Sequence, residues 1–286
     1  MLDHDRVSQW VTASQTEDLG VYALLDGFTE TNPRSRCEWR SPNGHPEINL
    51  FASRTTDARA LAIAPRLLSV AGDSVQTSRL LNAFHHQSAE MPRCLLIVSS
   101  LPLPCLATRL ERRIDVDADG DDMMLRFWDS RIFAALHRHL EPPTREALMG
   151  FGVEALVSDR CGGYQVLSLS CPTADPLATH ACRLNGRELM ALATAARPDI
   201  MLGMLRQQDT DALTAVADAE RHALARQQLD ECVQRQLHSP RDQALALSLA
   251  IEHGQDWWYQ EAWASCVQQA GESTLLKAYR QHTEAT

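Results

Sequence analysis

The residues best placed by type and spacing to do chemistry are Asp115, Asp117 and Asp119 ahead of Gly120, which reproduce the D-x-D-x-D-G opening of a calcium-binding loop. Counted from Asp115, the twelfth position is Arg126, where such a loop needs a bidentate glutamate, and a cation there opposes a bound metal. Apolar flanks from Leu110 to Val116 and from Met123 to Trp128 predict instead two strands joined by an acidic turn. His85-His86, His137 with His139, and His180 with Cys182 are the closest groupings of soft ligands. His137 and His139 stand two apart on a predicted helix and so face different sides, whereas a helical metal pair needs three or four residues between ligands. No metal and no cofactor are expected. Gly150, Gly152 and Ala155 satisfy G-x-G-x-x-A by letter, but they follow a predicted helix, and a dinucleotide fingerprint must follow a strand. There is no G-x-S-x-G and no phosphate-binding G-x-x-x-x-G-K-[ST]. Eight cysteines (37, 94, 105, 161, 171, 182, 232 and 266) are scattered without a C-x-x-C, which reads as reduced thiols, several of them core side chains. A cysteine-dependent hydrolase or transferase stays open as the alternative function on these residues alone.

The elements that must position such groups divide the chain in two. Short apolar runs bounded by turn residues predict strands at Val21 to Leu25, Leu61 to Ile63, Leu95 to Val98, Met123 to Trp128 and Tyr164 to Leu169. Helical patterns lie between them at Ser78 to His86 and Ile132 to Leu140. The expectation is an α/β (α+β) N-terminal lobe with a mixed sheet, residues 1–180, followed by an all-α C-terminal lobe, residues 181–286. In the latter, Ser239, Pro240 and Asp242 read as cap, first-turn proline and first-turn acid, and Gly254 as a helix stop. Asp256 is expected to open the next helix and Gly271 to close it, with Tyr259, Ala262, Trp263, Cys266, Val267 and Ala270 forming a buried stripe. Thr210 to Leu237 reads as one long charged helix or two.

With 27 Lys and Arg against 37 Asp and Glu the net charge is −10, which disfavours nucleic acid and anionic membrane as partners. Lys277 is the one lysine, so nearly every cation is an arginine, suited to planar contacts with carboxylates and backbone oxygens, although composition bias accounts for it better. The start, Met1 to Trp10, is polar and mixed, and the longest apolar run, about Ala244 to Ile251, falls far short of the ~20 residues that span a bilayer. A cytoplasmic protein with no membrane insertion is expected.

Two segments carry a more specific signal: Tyr22-Ala23-Leu24-Leu25-Asp26-Gly27, and Leu125-Arg126-Phe127-Trp128-Asp129-Ser130-Arg131 followed by Leu136 and Leu140. In order and separation they resemble the effector chaperones, or Tap/Tec adaptors, of type VI secretion, catalogued as the domain of unknown function DUF4123. That family has an early Y-A-L-L-D strand end and, later, L-R-F-Y-D-P-R with a leucine-rich helix. Ala64-Pro65-Arg66-Leu67, Cys94 to Ser100 and Leu106 to Leu110 extend the likeness to about Val157. Trp128 stands where tyrosine is usual, Ser130 where proline is usual, and Gly27 where alanine is common. The resemblance implies no catalysis. It implies a cytoplasmic protein that binds a toxin effector and assists its loading onto the VgrG spike or its PAAR cap, with the helical tail tuning which effector is held. Asp26, Arg126, Trp128, Asp129 and Arg131 are the candidate partner-binding or motif-structural residues. On a strand through Trp128, Arg126, Trp128 and Ser130 would share one face. Asp129 and Arg131 would cap and pair at the next helix, and Asp26 would accept from Arg126 or Arg131.

Overall fold

The computed structural model describes residues 10–13, 18–27, 46–70, 94–160, 163–208, 211–272 and 274–285. The chain forms two compact units, Met1–Leu192 and Ala193–Thr286.

The front unit is built on a six-stranded sheet. Its strands are β1 (Gly20–Leu25), β2 (Glu47–Asn49), β3 (Arg66–Ser69) and β4 (Cys94–Ser99), with β7 (Glu154–Ser158) and β8 (Tyr164–Ser168). They lie in the order β2-β3-β1-β4-β7-β8, every neighbouring pair antiparallel. The central strands β1 and β4 read as unbroken apolar runs because both of their faces are buried. Side-chain alternation sends Tyr22, Leu24, Leu95 and Ile97 to one face and Val21, Ala23, Leu25, Leu96 and Val98 to the other. The first face is covered by α2 (Leu103–Glu111), α3 (Ser130–His139) and α4 (Pro142–Met149), through Leu106, Leu110, Phe133, Leu136, Leu148 and Met149.

A smaller sheet, β6-β5-β9, supplies the parallel pairing. β5 (Asp115–Ala118) and β6 (Asp121–Met124) form an antiparallel hairpin, and β9 (Cys182–Leu184) lies parallel to β5. The acidic turn is as expected: Asp119 and Gly120 sit at φ 56° and 101°, the double positive φ of a two-residue type I′ turn that Asp-Gly favours.

Three strand boundaries differ from expectation. Leu61 lies in the short helix α1 (Ala58–Ala62), opened by Asp57, whose carboxylate accepts from the Arg59 amide. Leu110 belongs to α2, and β5 begins only at Asp115. β6 ends at Met124: the Asp129 amide donates to the Arg126 carbonyl at 3.1 Å, folding 126–129 into a turn, so Arg126, Trp128 and Ser130 share no strand face. The predicted helix Ser78 to His86, the pair His85-His86, and Cys37 and Cys161 fall outside the described residues.

After β9 the chain is helical. α5 (Gly186–Gln208) begins in a capping box in which the Asn185 side chain accepts from the Glu188 amide and Glu188 accepts from the Asn185 amide. It contains Pro198, and the division between the two units falls within it. The rear unit continues with α6 (Asp218–Gln234), α7 (Pro240–His253), α8 (Ala264–Glu272) and α9 (Leu275–Ala285). The charged stretch from Thr210 thus holds one helix among the described residues, α6, preceded by a segment of turns in which the carbonyls of Leu213 and Val216 accept from Arg221. Gly254 stops α7 at φ 95° and ψ 155°, a conformation nearly confined to glycine. Asp256 opens no α-helix. Two 3-10 turns, Trp257–Tyr259 and Glu261–Trp263, come first, and α8 runs past Gly271. Trp263, Cys266 and Ala270 are buried, whereas Tyr259, at the end of the first 3-10 turn, is 67% exposed and Ala262 is exposed as well.

Candidate functional site

The two motif segments meet at one corner of the front unit. Asp26 leaves the end of β1, and its Oδ2 accepts from Arg126 Nη2 at 2.8 Å across 100 residues of chain. Asp26 is buried, while the Arg126 side chain is 46% exposed. The tight turn after Arg126 then aims Asp129 at the start of α3. Its Oδ1 accepts from the Arg131 amide at 2.9 Å, an N-cap bond, and its two oxygens also receive the Arg131 guanidinium, the shortest contact being 2.6 Å. Asp26 therefore takes Arg126, and Asp129 takes Arg131, the local pairing that the sequence suggested.

Trp128 points inward. It is 3% exposed, and its ring meets Phe127 edge-on at 5.4 Å and Phe51 at 6.1 Å. Its Nε1 has no hydrogen-bond partner among the described residues. Ser130 is buried at the first residue of α3, its hydroxyl 2.8 Å from that of Ser158 on β7. The motif thus has two layers: Asp26, Trp128, Asp129 and Ser130 are buried and fix the corner, and the guanidiniums of Arg126 and Arg131 form its outer, partly exposed side.

Elsewhere in the front unit lies an arrangement that the sequence reading missed. Arg113, fully buried after the end of α2, donates to the carbonyls of Arg109, Ala147, Leu148 and Gly150 and to Asp175 Oδ1. Arg109, one helical turn earlier, donates to the carbonyls of Gly150, Pro172 and Thr173. Together they tie α2 to the end of α4 and to the 172–175 loop. Burial lowers the Arg113 pKa, with Asp175 acting in the opposite sense. Burial opposes ionisation of Asp175 as well, but the bonds and charge of Arg113, then Arg112 and the Leu177 amide, hold its carboxyl below the ordinary value. The signal available in the sequence was the spacing: Arg109 and Arg113 each follow a core leucine, Leu106 and Leu110, by three residues, which places cations on the apolar stripe.

Several of the candidate ligand and nucleophile side chains have structural partners. Asp115 takes Arg54, and Asp117 takes Arg183 and the Gly120 amide, which hold the Asp117 carboxyl below its ordinary pKa. Among the described residues no three His, Cys, Asp or Glu side chains gather as metal ligands. His137 Nε2 lies 3.0 Å from the Ser168 carbonyl. Burial, then the Glu188 charge, pushes the Cys182 thiol up to about 11; burial and Asp242 push Cys232 up to about 12; and burial raises Cys266. These are core thiols, the opposite of an activated nucleophile.

In the rear unit, the buried Gln228 organises the tryptophans. Its Oε1 accepts from Trp257 Nε1 at 3.2 Å and Trp258 Nε1 at 2.7 Å, and its Nε2 donates to the Gln255 carbonyl. Arg235 lies over the Trp258 ring at 4.6 Å and pairs with Glu231, which also accepts from the Tyr259 hydroxyl.

No curated protein and no solved structure gives a significant match to the chain. Residues 21–147 match a family described as a domain of unknown function, DUF4123. That stretch runs from β1 into α4 and encloses both motif segments and the Asp26–Arg126 pair. The chain therefore carries a DUF4123 domain over residues 21–147.

Proposed function

We propose that this chain is a cytoplasmic adaptor that holds a type VI secretion toxin effector and assists its loading onto the VgrG or PAAR spike. The observation that carries the reading is the joining of the two family motifs at one corner, Asp26 to Arg126 and Asp129 to Arg131, inside a DUF4123 domain. The buried members of that corner make a rigid platform, and the arginines on its outer side are suited to the carboxylates and backbone oxygens of a partner protein. The net charge of −10 supports a protein partner over nucleic acid. Burial raises the thiol pKa values of Cys182, Cys232 and Cys266, so these three act as core side chains and offer no support to the cysteine-dependent hydrolase or transferase.

Deleting the gene in its host and following secretion tests the reading. The neighbouring toxin is expected to vanish from the secreted fraction while the spike itself is still exported. Unchanged toxin export would reject the role, as would a gene neighbourhood without spike or effector genes.

A further inference from the structure

We propose that the edge of β6, unpaired among the described residues, is a docking strand, which takes an extended segment of a partner protein carrying two adjacent apolar residues and two adjacent cations. The partner's identity as an effector rests on the adaptor reading; the edge does not. β6 is the outer strand of the β6-β5-β9 sheet, and all four of its residues, Asp121, Asp122, Met123 and Met124, are exposed.

Backbone directions follow from the hairpin. The Leu125 amide donates to the Ile114 carbonyl at 2.7 Å, so the directly opposed pairs 114/125, 116/123 and 118/121 are the hydrogen-bonded ones. The N–H and C=O groups of Asp122 and Met124 consequently point away from β5, toward the open edge. Met123 opposes Val116, a core residue, yet is 49% exposed, and Met124 is 56% exposed on the opposite face. The core thus ends in a half-covered methionine, a side chain that adapts to varied apolar partners.

Charge decides the occupant. Asp115 and Asp117 are matched by Arg54 and Arg183, but Asp119, Asp121 and Asp122 are exposed with no salt bridge among the described residues. A second copy of the chain would bring the same carboxylates into one ladder, opposite or diagonal to each other according to register, and would supply no countercharge. Charged edges are the ordinary defence against such pairing. A cationic segment turns that repulsion into attraction. An antiparallel strand added at this edge would set two apolar residues against Met124 and Met123 and two cations against Asp122 and Asp121, in that order.

The test uses the full chain and a dye-labelled ten-residue peptide centred on Val-Val-Arg-Arg, with a Val-Val-Glu-Glu counterpart. The cationic peptide is expected to bind at least tenfold more tightly than the acidic one. It should also slow amide exchange at Asp122 and Met124 and leave the already bonded Met123 and Leu125 amides unchanged. Asp121→Arg combined with Asp122→Arg should reverse the preference between the two peptides. Met124→Pro removes only an outward donor and should weaken binding at least tenfold. Equal binding of the two peptides, or binding without protection at Asp122 and Met124, overturns the inference. So does protection that rises with protein concentration in the absence of peptide, since it would assign the edge to a second copy. If the effector is held equally well by the edge variants and the peptide fails, the edge inference falls and the adaptor reading stands. If the peptide protects both amides but no effector is held, the edge stands and the adaptor reading falls.

Discussion

Arg113 is a buried cation whose removal would take a donor from four carbonyls and from Asp175, although the Gly150 carbonyl would keep Arg109 and Asp175 would keep Arg112 and the Leu177 amide. Breaking a buried, hydrogen-bonded charge by deleting one partner costs about 3–5 kcal/mol, so Arg113→Ala should lower the urea midpoint sharply or prevent folding. Arg126→Ala, which deletes a half-exposed partner of Asp26, should cost at most about 1 kcal/mol in the same measurement. Asp175 gives the front unit an acid sensitivity of known sign. Its folded pKa lies below the unfolded value of about 3.9, so its stabilisation is complete above that value and is lost as pH falls through the folded pKa. Asp175→Asn should therefore be less stable than the parent near neutrality and show a flatter decline in stability below about pH 4, read from denaturation midpoints across pH. These residues also mark what the sequence could reveal. Asp129 and Arg131 were legible because capping and pairing act over two residues, whereas for Asp26 the sequence left Arg126 and Arg131 both open and the fold supplies Arg126. Arg109 and Arg113 showed only as cations on an apolar stripe; their partners were not legible, because most are main-chain carbonyls 34 to 64 residues away.

Among the elements, two helix starts that look alike in sequence differ in structure. Asp129 makes the N-cap bond of α3, whereas Ser239, followed by a proline and an acid, makes no side-chain bond at the start of α7. Asp129→Ala should cost about 1 kcal/mol, and Ser239→Ala only a few tenths, in equilibrium unfolding; equal costs would show that the cap bond of α3 is not formed in solution. Gly254 presents the reverse case, a residue placed correctly by its stop signal and held where a Cβ is strained. Gly254→Ala is expected to cost about 1–3 kcal/mol although its Cβ would meet open space. Strands and helices with strong periods, β1, β4, β8, α3 and α7, stood clear in the sequence. The elements misread were those where apolar content had another cause: Leu61 in a helix opened by Asp57, Phe127 and Trp128 in a turn that feeds the core, and Trp257 and Trp258 in a 3-10 turn fixed by Gln228. A local cap decides the first, and tertiary contacts override the local period in the other two.

For the whole molecule, an α+β front and a helical back were readable from the change of period near Asn185, because hydrophobic alternation and helical spacing survive in one sequence. A docking surface is harder to read: exposure of Met123 and Met124 depends on β6 lying at a sheet edge, and edge position is decided by which strands pair, not by the strand's own residues. The adaptor account makes the front unit a platform rather than a reaction site, and that is its central claim. Co-expression of the full chain with the product of the neighbouring effector gene, followed by size-exclusion chromatography with light scattering, tests it most directly. The account predicts a complex that elutes as a single species, with the effector lost or insoluble when it is expressed alone. Separate elution of the two proteins, with the effector folding unaided, would contradict it.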